Sequence, residues 1–125
     1  SGEKATISVY INTKKDIPKM TVGIIIKDKF GQDIFGTNTF HHKLEINFKA
    51  DENYVCEFIA NLDIGIGKYS ITAAVHTDDT HLNNCSHWLD NACSFEVAGF
   101  AQEQFIGLCQ LKPEINFKMN KKEER

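Results

Sequence analysis

Hydrophobic and polar residues alternate along most of this chain with a period of two, and β-branched and aromatic residues fill many of the apolar positions. In segment 5–13, for example, Ile7, Val9 and Ile11 alternate with polar neighbours. Similar alternation marks segments 20–27, 33–38, 44–49, 53–60, 67–77 and 93–97. Because successive side chains of a strand point to opposite faces, the pattern predicts about seven or eight half-buried strands and no helix.

Turn and loop signals separate these segments. The sequence Asp28-Lys29-Phe30-Gly31 predicts a tight turn, so segments 20–27 and 33–38 should form a hairpin. Segment 78–91 is polar and too long for a hairpin turn, which predicts a loop of the kind that often carries function. Further strands are predicted at 105–111 and, as a short alternation, at 115–119.

The number and spacing of these strands predict the fold class. Short strands without a helix or an internal repeat favour an all-β chain folded as an immunoglobulin-like antiparallel β-sandwich. The spacing of Leu62, Asp63, Gly67 and Tyr69 resembles a tyrosine corner, in which a phenol hydroxyl bonds back to the main chain. The expected domain covers residues 1–118, and the charged tail 119–125 is expected to be disordered.

Composition limits the range of partners. The chain has 125 residues, of which 42% are hydrophobic and 25% charged, as expected for one globular domain. Its net charge of −3 provides no basic field, so no nucleic-acid partner is predicted. No apolar run approaches the roughly 20 residues of a membrane span. The start at Ser1, without a Met or a leader, is expected of a fragment of a longer protein.

The sequence lacks the common motifs of enzymes and holds only a weak candidate for a metal site. The sequence has no phosphate-binding glycine loop, nucleophile elbow or HExxH pair, so no catalytic activity and no cofactor are predicted. A set of His and Cys residues could supply zinc ligands, but it lacks the two closely spaced pairs of a structural site, and no metal is predicted. The set comprises His76, His81, Cys85, His87 and Cys93. The four cysteines form no CxxC pair and are expected to be free, buried thiols of a reducing cytoplasm.

The polar segment around the single tryptophan is the candidate site. Trp88 lies next to His87 and close to Asp90 and Asn91, and sugar sites combine an aromatic face with groups that bond hydroxyls. An alternative is that Trp88 closes one end of the sandwich and that Asp90 or Asn91 caps a turn. Small polar residues of segment 67–77 are expected on its solvent face, beside a ligand. The predicted carbohydrate-binding residues are Trp88, His87, Asp90, Asn91, His76, Thr72 and Ser70.

Three motifs in series resemble one known family. Segment 16–39 reads DIPKMTVGIIIKDKFGQDIFGTNT, segment 67–72 reads GKYSIT, and segments 87–91 and 95–97 read HWLDN and FEV. They resemble the C-terminal carbohydrate-binding domain of Wzt, the nucleotide-binding subunit of ABC transporters that export O-antigen polysaccharide. The resemblance extends over about residues 2–111.

The resemblance implies a noncatalytic domain that recognises the finished O-antigen polysaccharide, by a repeat unit or a modified end. It implies that the domain acts in the cytoplasm, peripherally at the inner membrane, with the ATPase domain and the membrane subunit of the transporter as partners. It also implies a homodimer that exchanges a C-terminal strand, for which segments 105–111 and 115–119 are candidates. Members of the family usually have one more strand before the first one here, so an edge strand is expected to be missing.

The residues alone are also compatible with a second function. A β-sandwich with exposed edges can also serve as a structural or protein-interaction module that binds no glycan. Binding of the domain to a polysaccharide is the measurement that separates the two functions.

Overall fold

The computed structural model describes residues 1–44, 46–77 and 86–119. These residues contain no helix, and their strands pair in antiparallel sheets, so the predicted all-β sandwich is confirmed. The described residues form seven strands: β1 (Lys4–Asn12), β2 (Ile17–Asp28), β3 (Asp33–Asn38), β4 (Ile46–Phe48), β5 (Asn53–Asn61), β6 (Gly67–Thr77) and β7 (Ser86–Val97).

The strands form two sheets. In the smaller sheet β1 pairs with β5, from Lys4 opposite Asn61 to Asn12 opposite Asn53. The larger sheet has the order β3-β2-β6-β7, and β4 pairs with β2 as its fifth strand. Because β6 pairs with one edge of β2, strands β3 and β4 lie one after the other along its other edge.

The core lies between the two sheets, where the alternating apolar residues meet. Val22, Ile24 and Ile26 of β2 are between 0% and 5% exposed. Val9 of β1 and Phe58 of β5 pack against them from the smaller sheet. The period-two pattern of the sequence is therefore the pattern of inward-facing residues, as expected for half-buried strands.

The predicted tyrosine corner is present at the start of β6. The Tyr69 hydroxyl donates a hydrogen bond of 2.7 Å to the carbonyl oxygen of Gly65. The Tyr69 ring is buried and stacks on Phe95 of β7, with a centroid distance of 5.3 Å. Burial, and secondarily the negative charge of Asp28, raise the pKa of Tyr69.

The predicted β2–β3 hairpin is also present. The Asp28 carboxylate accepts hydrogen bonds of 2.9 Å from the main-chain N–H groups of Phe30 and Gln32. Gly31 has a φ of +81°, a conformation that glycine adopts without steric cost. A side-chain cap and one glycine thus define the turn.

The chain around β7 differs from the prediction. Segment 78–91 was expected to be one loop, but β7 begins at Ser86 and pairs with β6 there. The prediction was wrong for residues 86–91 because polar residues in a sheet do not show the alternation by which a strand is identified in sequence. Residues 78–85 lie outside the described residues, as do residues 120–125 of the predicted tail.

The predicted strands at 105–111 and 115–119 are not formed. The described C-terminal segment contributes one isolated bridge, between Cys109 and Ile64, and no strand. Ile115, Phe117 and Met119 are more than 80% exposed. Alternation supplies a strand with an apolar face, but a strand also needs an edge to pair with.

The exposure of the cysteines differs in part from the prediction. The thiols of Cys56, Cys93 and Cys109 are free, as predicted, but only Cys56 is half-buried. Cys93 and Cys109 are exposed, so the prediction of burial was wrong for these two. Burial raises the pKa of the Cys56 thiol. Cys85 lies outside the described residues.

Among the described residues, no helix has the length and hydropathy needed to cross a bilayer.

Candidate functional site

The predicted site residues are spread along β6 and β7. Ser70 and His76 lie on the same strand, and at about 3.3 Å per residue they are roughly 20 Å apart. Thr21 of β2 pairs with His76, whereas Lys27 pairs with Ser70, so the two residues lie near opposite ends of the sheet. The structure therefore does not place Ser70 and His76 beside the same small ligand.

Thr72 does not lie on a solvent-exposed surface. It is 1% exposed and pairs with Ile25 of β2. The expectation that Thr72 faces solvent was wrong, because strand alternation assigns a residue to a face but does not show what covers that face. A role of Thr72 in carbohydrate binding stays a prediction.

The remaining predicted residues belong to β7 rather than to a loop. Trp88 is paired with Ala74, and His87 with Val75. The side chains of residues 86–91 lie outside the described part of the structure, so the roles of Trp88, His87, Asp90 and Asn91 stay predictions.

Backbone pairing places Trp88 in a row of residues that crosses the larger sheet. The row runs from Asn38 of β3 through Gly23 and Ala74 to Trp88 of β7. A Cβ atom at Gly23 would come within 3.1 Å of the Cβ of Asn38 and 3.2 Å of the Thr37 carbonyl oxygen. A side chain at Gly23 would therefore press on β3, Ala74 adds only a methyl group, and the two ends of the row are Asn38 and Trp88.

A cleft of about 580 Å³ lies beside one end of this row, between β2 and the segment that links β3 to β4. We call it the lysine cleft. Its lining consists of Lys19, Met20, Thr21, Phe40, His41, Lys43 and Leu44. His76 adjoins the cleft through its pairing with Thr21, and is the only predicted site residue among those described that does so.

Hydrogen bonds hold the outer wall of the lysine cleft against β2. Thr39 is 2% exposed; its N–H donates to the Val22 carbonyl at 2.9 Å, and its hydroxyl accepts from the Val22 N–H at 3.1 Å. The Asn38 side-chain oxygen accepts from the His41 N–H at 2.7 Å, and the Leu44 N–H donates to the Thr39 carbonyl at 2.9 Å. Segment 39–44 is therefore attached to β2 at Thr39 and closed on itself through Leu44, and Ile46 beyond it pairs with Met20 of β2.

The chemistry of the lysine cleft is both cationic and apolar. Lys19 and Lys43 supply its positive charge, His41 adds an imidazole, and no described lining residue carries a carboxylate. Phe40 and Leu44 are 67% and 59% exposed. Such a cleft can hold a ring against its apolar wall and an anionic group near its lysines.

A second cleft of about 720 Å³ lies at the opposite end of the larger sheet, beside the β2–β3 turn. We call it the hairpin cleft. Ser70 lines it together with Ser94, its partner on β7, so one predicted site residue belongs here. The other lining residues are Asp28, Lys29, Gly31, Lys68, Tyr69, Phe95 and Glu96. Hydroxyl groups with charges of both signs suit a polar, uncharged ligand such as a sugar.

The sequence analysis missed most of the lysine cleft. The signal for it is the run Phe40-His41-His42-Lys43, which combines an aromatic ring with basic groups just after a strand. That run alone does not show its partner, Lys19, which lies on β2 and reaches the cleft only through the fold.

Comparisons with known proteins agree with the architecture. The family model described as the Wzt C-terminal domain matches residues 1–111. A crystal structure of the C-terminal domain of wzt superposes with a TM-score of 0.82 at 17% identity, over 94% of this chain and 71% of that one. At this identity the structural match shows a shared fold. No curated protein matches the sequence.

Proposed function

This chain belongs to the Wzt C-terminal domain family, and on that premise we propose that it is the noncatalytic domain by which an ABC exporter recognises O-antigen polysaccharide. The observation that carries the proposal is the family match over residues 1–111, which covers all seven described strands. A role in carbohydrate recognition for O-antigen transport follows from the family. The recognition of a repeat unit or of a modified end by this chain is the proposed part.

Features of the larger sheet support glycan binding. The row from Asn38 to Trp88 has small residues at its centre, and a cleft lies towards each end of the sheet. We assign Trp88, with His87, Asp90 and Asn91, to contacts with the sugar, as its position in that row allows. Affinity should be weak, because each sugar hydroxyl exchanges a hydrogen bond to water for one to protein, with a net gain of about 1 kcal/mol.

The same family supports the proposed partners and location. We assign the domain to the cytoplasmic side of the inner membrane, where it would act with the ATPase domain and the membrane subunit of the transporter. We also assign it to a homodimer with exchanged C-terminal segments. The exposed apolar residues Ile115, Phe117 and Met119 support exchange, since exposed apolar clusters of this kind commonly mark an interaction site.

One observation favours a second function, a protein-interaction module. Tyr10 and Val55 pair on the outer surface of the smaller sheet and are 80% and 52% exposed. A partner protein could dock on this apolar surface without any glycan.

Titration of the domain with the O-polysaccharide of its source organism tests the proposed function. We expect saturable binding to that polysaccharide and none to dextran of similar length, measured by calorimetry or by retardation in an affinity gel. The absence of selective binding would refute glycan recognition and favour the protein-interaction module.

A further inference from the structure

We propose that the lysine cleft binds an oxyanion, a carboxylate or a phosphate, that is carried on a sugar ring of the glycan. This proposal rests on the proposed function, since the proposal names the class of sugar that the domain would bind.

The charges in the lysine cleft support an anionic ligand. Lys19, Lys43 and His41 line it, whereas the chain as a whole has a net charge of −3. The two lysines, without a carboxylate among the described lining residues, give the cleft a local positive charge in a protein whose net charge is negative, and His41 adds a ring nitrogen as a hydrogen-bonding group. Lysine is a point charge with three donors, so it can bind either a carboxylate or a phosphate.

The apolar part of the lysine cleft supports a ring rather than a free ion. Phe40, Leu44 and Met20 line it beside the basic residues, and Met20 is only 4% exposed. An aromatic ring packs well on the C–H face of a pyranose. A small inorganic ion would leave this surface unused.

The backbone at both lysines is unusual. Lys19 and Lys43 have φ angles of 54° and 59°, in the left-handed region that residues with a side chain rarely adopt. Glycine would be easier to place at either position. Asp51 and Lys112, outside the cleft, have the same conformation, so the backbone alone does not mark a binding lysine. It makes glycine a substitution that removes an ammonium group without adding backbone strain.

Hydrogen bonds hold segment 39–44, one wall of the lysine cleft, in place before a ligand binds. Thr39 ties segment 39–44 to Val22 through its N–H and its hydroxyl. Phe40, His41 and Lys43 thus follow a buried, hydrogen-bonded residue, and little ordering would be needed when a ligand binds.

The substitution Lys43→Gly separates charge from stability, because glycine removes the ammonium group and relieves the left-handed backbone at once. We expect its melting temperature to be unchanged or slightly higher. We expect its affinity for methyl glucuronide and for glucose 6-phosphate to fall about tenfold, as for the loss of one charged hydrogen bond. Lys19→Gln is the second variant and should lose affinity in the same direction.

Lys112→Gly is the matched control. Lys112 also has a positive φ, 51°, but lies outside the lysine cleft and pairs with Asp63 at 3.1 Å. This control should leave the affinity for both charged sugars unchanged. In the native protein, methyl glucoside should bind at least tenfold more weakly than methyl glucuronide, and added salt should weaken only the charged probes.

The outcomes separate this proposal from the proposed function. Equal affinity for methyl glucuronide and methyl glucoside, or unchanged affinity in Lys43→Gly, overturns the acidic-sugar proposal even if the native polysaccharide binds. Inorganic phosphate that binds as tightly as glucose 6-phosphate overturns the role of the sugar ring. Lysine-dependent binding of the charged sugars in a domain that binds no O-polysaccharide supports the chemistry of the cleft and refutes the proposed function.

Discussion

At the residue scale, one hydrogen bond from Tyr69 holds the chain in place at the start of β6. Its hydroxyl closes the chain back onto the Gly65 carbonyl at the start of β6, and its ring packs against the core. Gly65 is itself buried, so its carbonyl has little access to water. The spacing of Leu62, Asp63, Gly67 and Tyr69 predicted this corner, because the contact is local in sequence.

Removal of the hydroxyl in Tyr69→Phe should lower the free energy of unfolding by about 1–2 kcal/mol, because the buried carbonyl loses its partner. Urea denaturation followed by fluorescence measures the change. The control is Tyr10→Phe, at a tyrosine that is 80% exposed, which should have no effect. Equal stability of native and Tyr69→Phe proteins would contradict the role of the corner.

The raised pKa of Tyr69 predicts a loss of stability in alkali. The unfolded chain ionises at the ordinary tyrosine pKa of about 10, below the pKa of the folded state. Stability should therefore be full below pH 10 and decline as the pH rises through the folded pKa. Tyr69→Phe should show a shallower decline above pH 10. Cys56→Ser is a second, independent test: burial raises the pKa of the Cys56 thiol above its ordinary value of 9.0, so this variant should also lose less stability in alkali. An unchanged alkaline decline in Tyr69→Phe would contradict the prediction.

Gly65 is a residue at which the C-terminal segment is docked. Its N–H donates to the Leu108 carbonyl at 2.9 Å, and a Cβ atom here would overlap the carbonyl oxygen of Gly107. Gly65→Ala should cost about 1–3 kcal/mol of stability or displace residues 107–112, detected as faster amide exchange there. Gly99→Ala, where a Cβ meets no atom within 4 Å, should be neutral.

At the scale of the elements, prediction succeeded where a strand buries one face. The bounds of β6, Gly67–Thr77, agree with the predicted segment 67–77 because its residues alternate throughout. The start of β7 was missed because Ser86 and the residues after it are mostly polar. Segments 105–111 and 115–119 failed in the opposite way. They alternate, but the first makes only one isolated bridge, Cys109 to Ile64, and the second forms no strand.

The candidate site was less predictable than the fold for a related reason. Trp88 and Ser70 could be identified as sugar-binding types from their chemistry, but their distance depends on the register between β6 and β7. Lys19 and Lys43 lie far apart in sequence and line one cleft only because β3 turns back along β2. Contacts of this kind are set by tertiary structure, which local patterns do not encode.

Substitution of Trp88 tests whether β7 takes part in glycan binding. Trp88→Ala should abolish retention on an O-polysaccharide gel while the far-UV circular dichroism stays unchanged. Tyr10→Ala, which removes an exposed aromatic ring from the smaller sheet, should keep full retention. A Trp88→Ala protein that unfolds would instead make Trp88 a structural residue of the sandwich.

At the scale of the whole molecule, the two sheets are unequal. The smaller sheet has two strands and the larger has five, among the described residues. The smaller sheet is thus left with edges that a further strand could extend. An exchanged C-terminal segment would supply such a strand and cover its own exposed apolar side chains.

Paired substitution of Ile115→Ser and Phe117→Ser tests the exchange. Both residues are almost fully exposed in the single chain, at 84% and 97%, so the monomer should keep its stability. The native protein should sediment as a dimer and the double variant as a monomer. Serine substitutions at Tyr10 and Val55, exposed on the smaller sheet, form the control and should leave the dimer intact. A monomeric native protein would contradict the proposed exchange.

The attachment of β3 and β4 to the same edge of β2 also bears on how such domains diversify. The connection between them is held at Thr39 and at Ile46, and it lies at the rim of the sheet rather than within it. New residues could therefore be exchanged into this connection without disturbing the core. If segment 39–44 contacts the ligand as proposed, substitutions at its exposed residues should alter which ligand is bound and leave the folding stability of the sandwich unchanged.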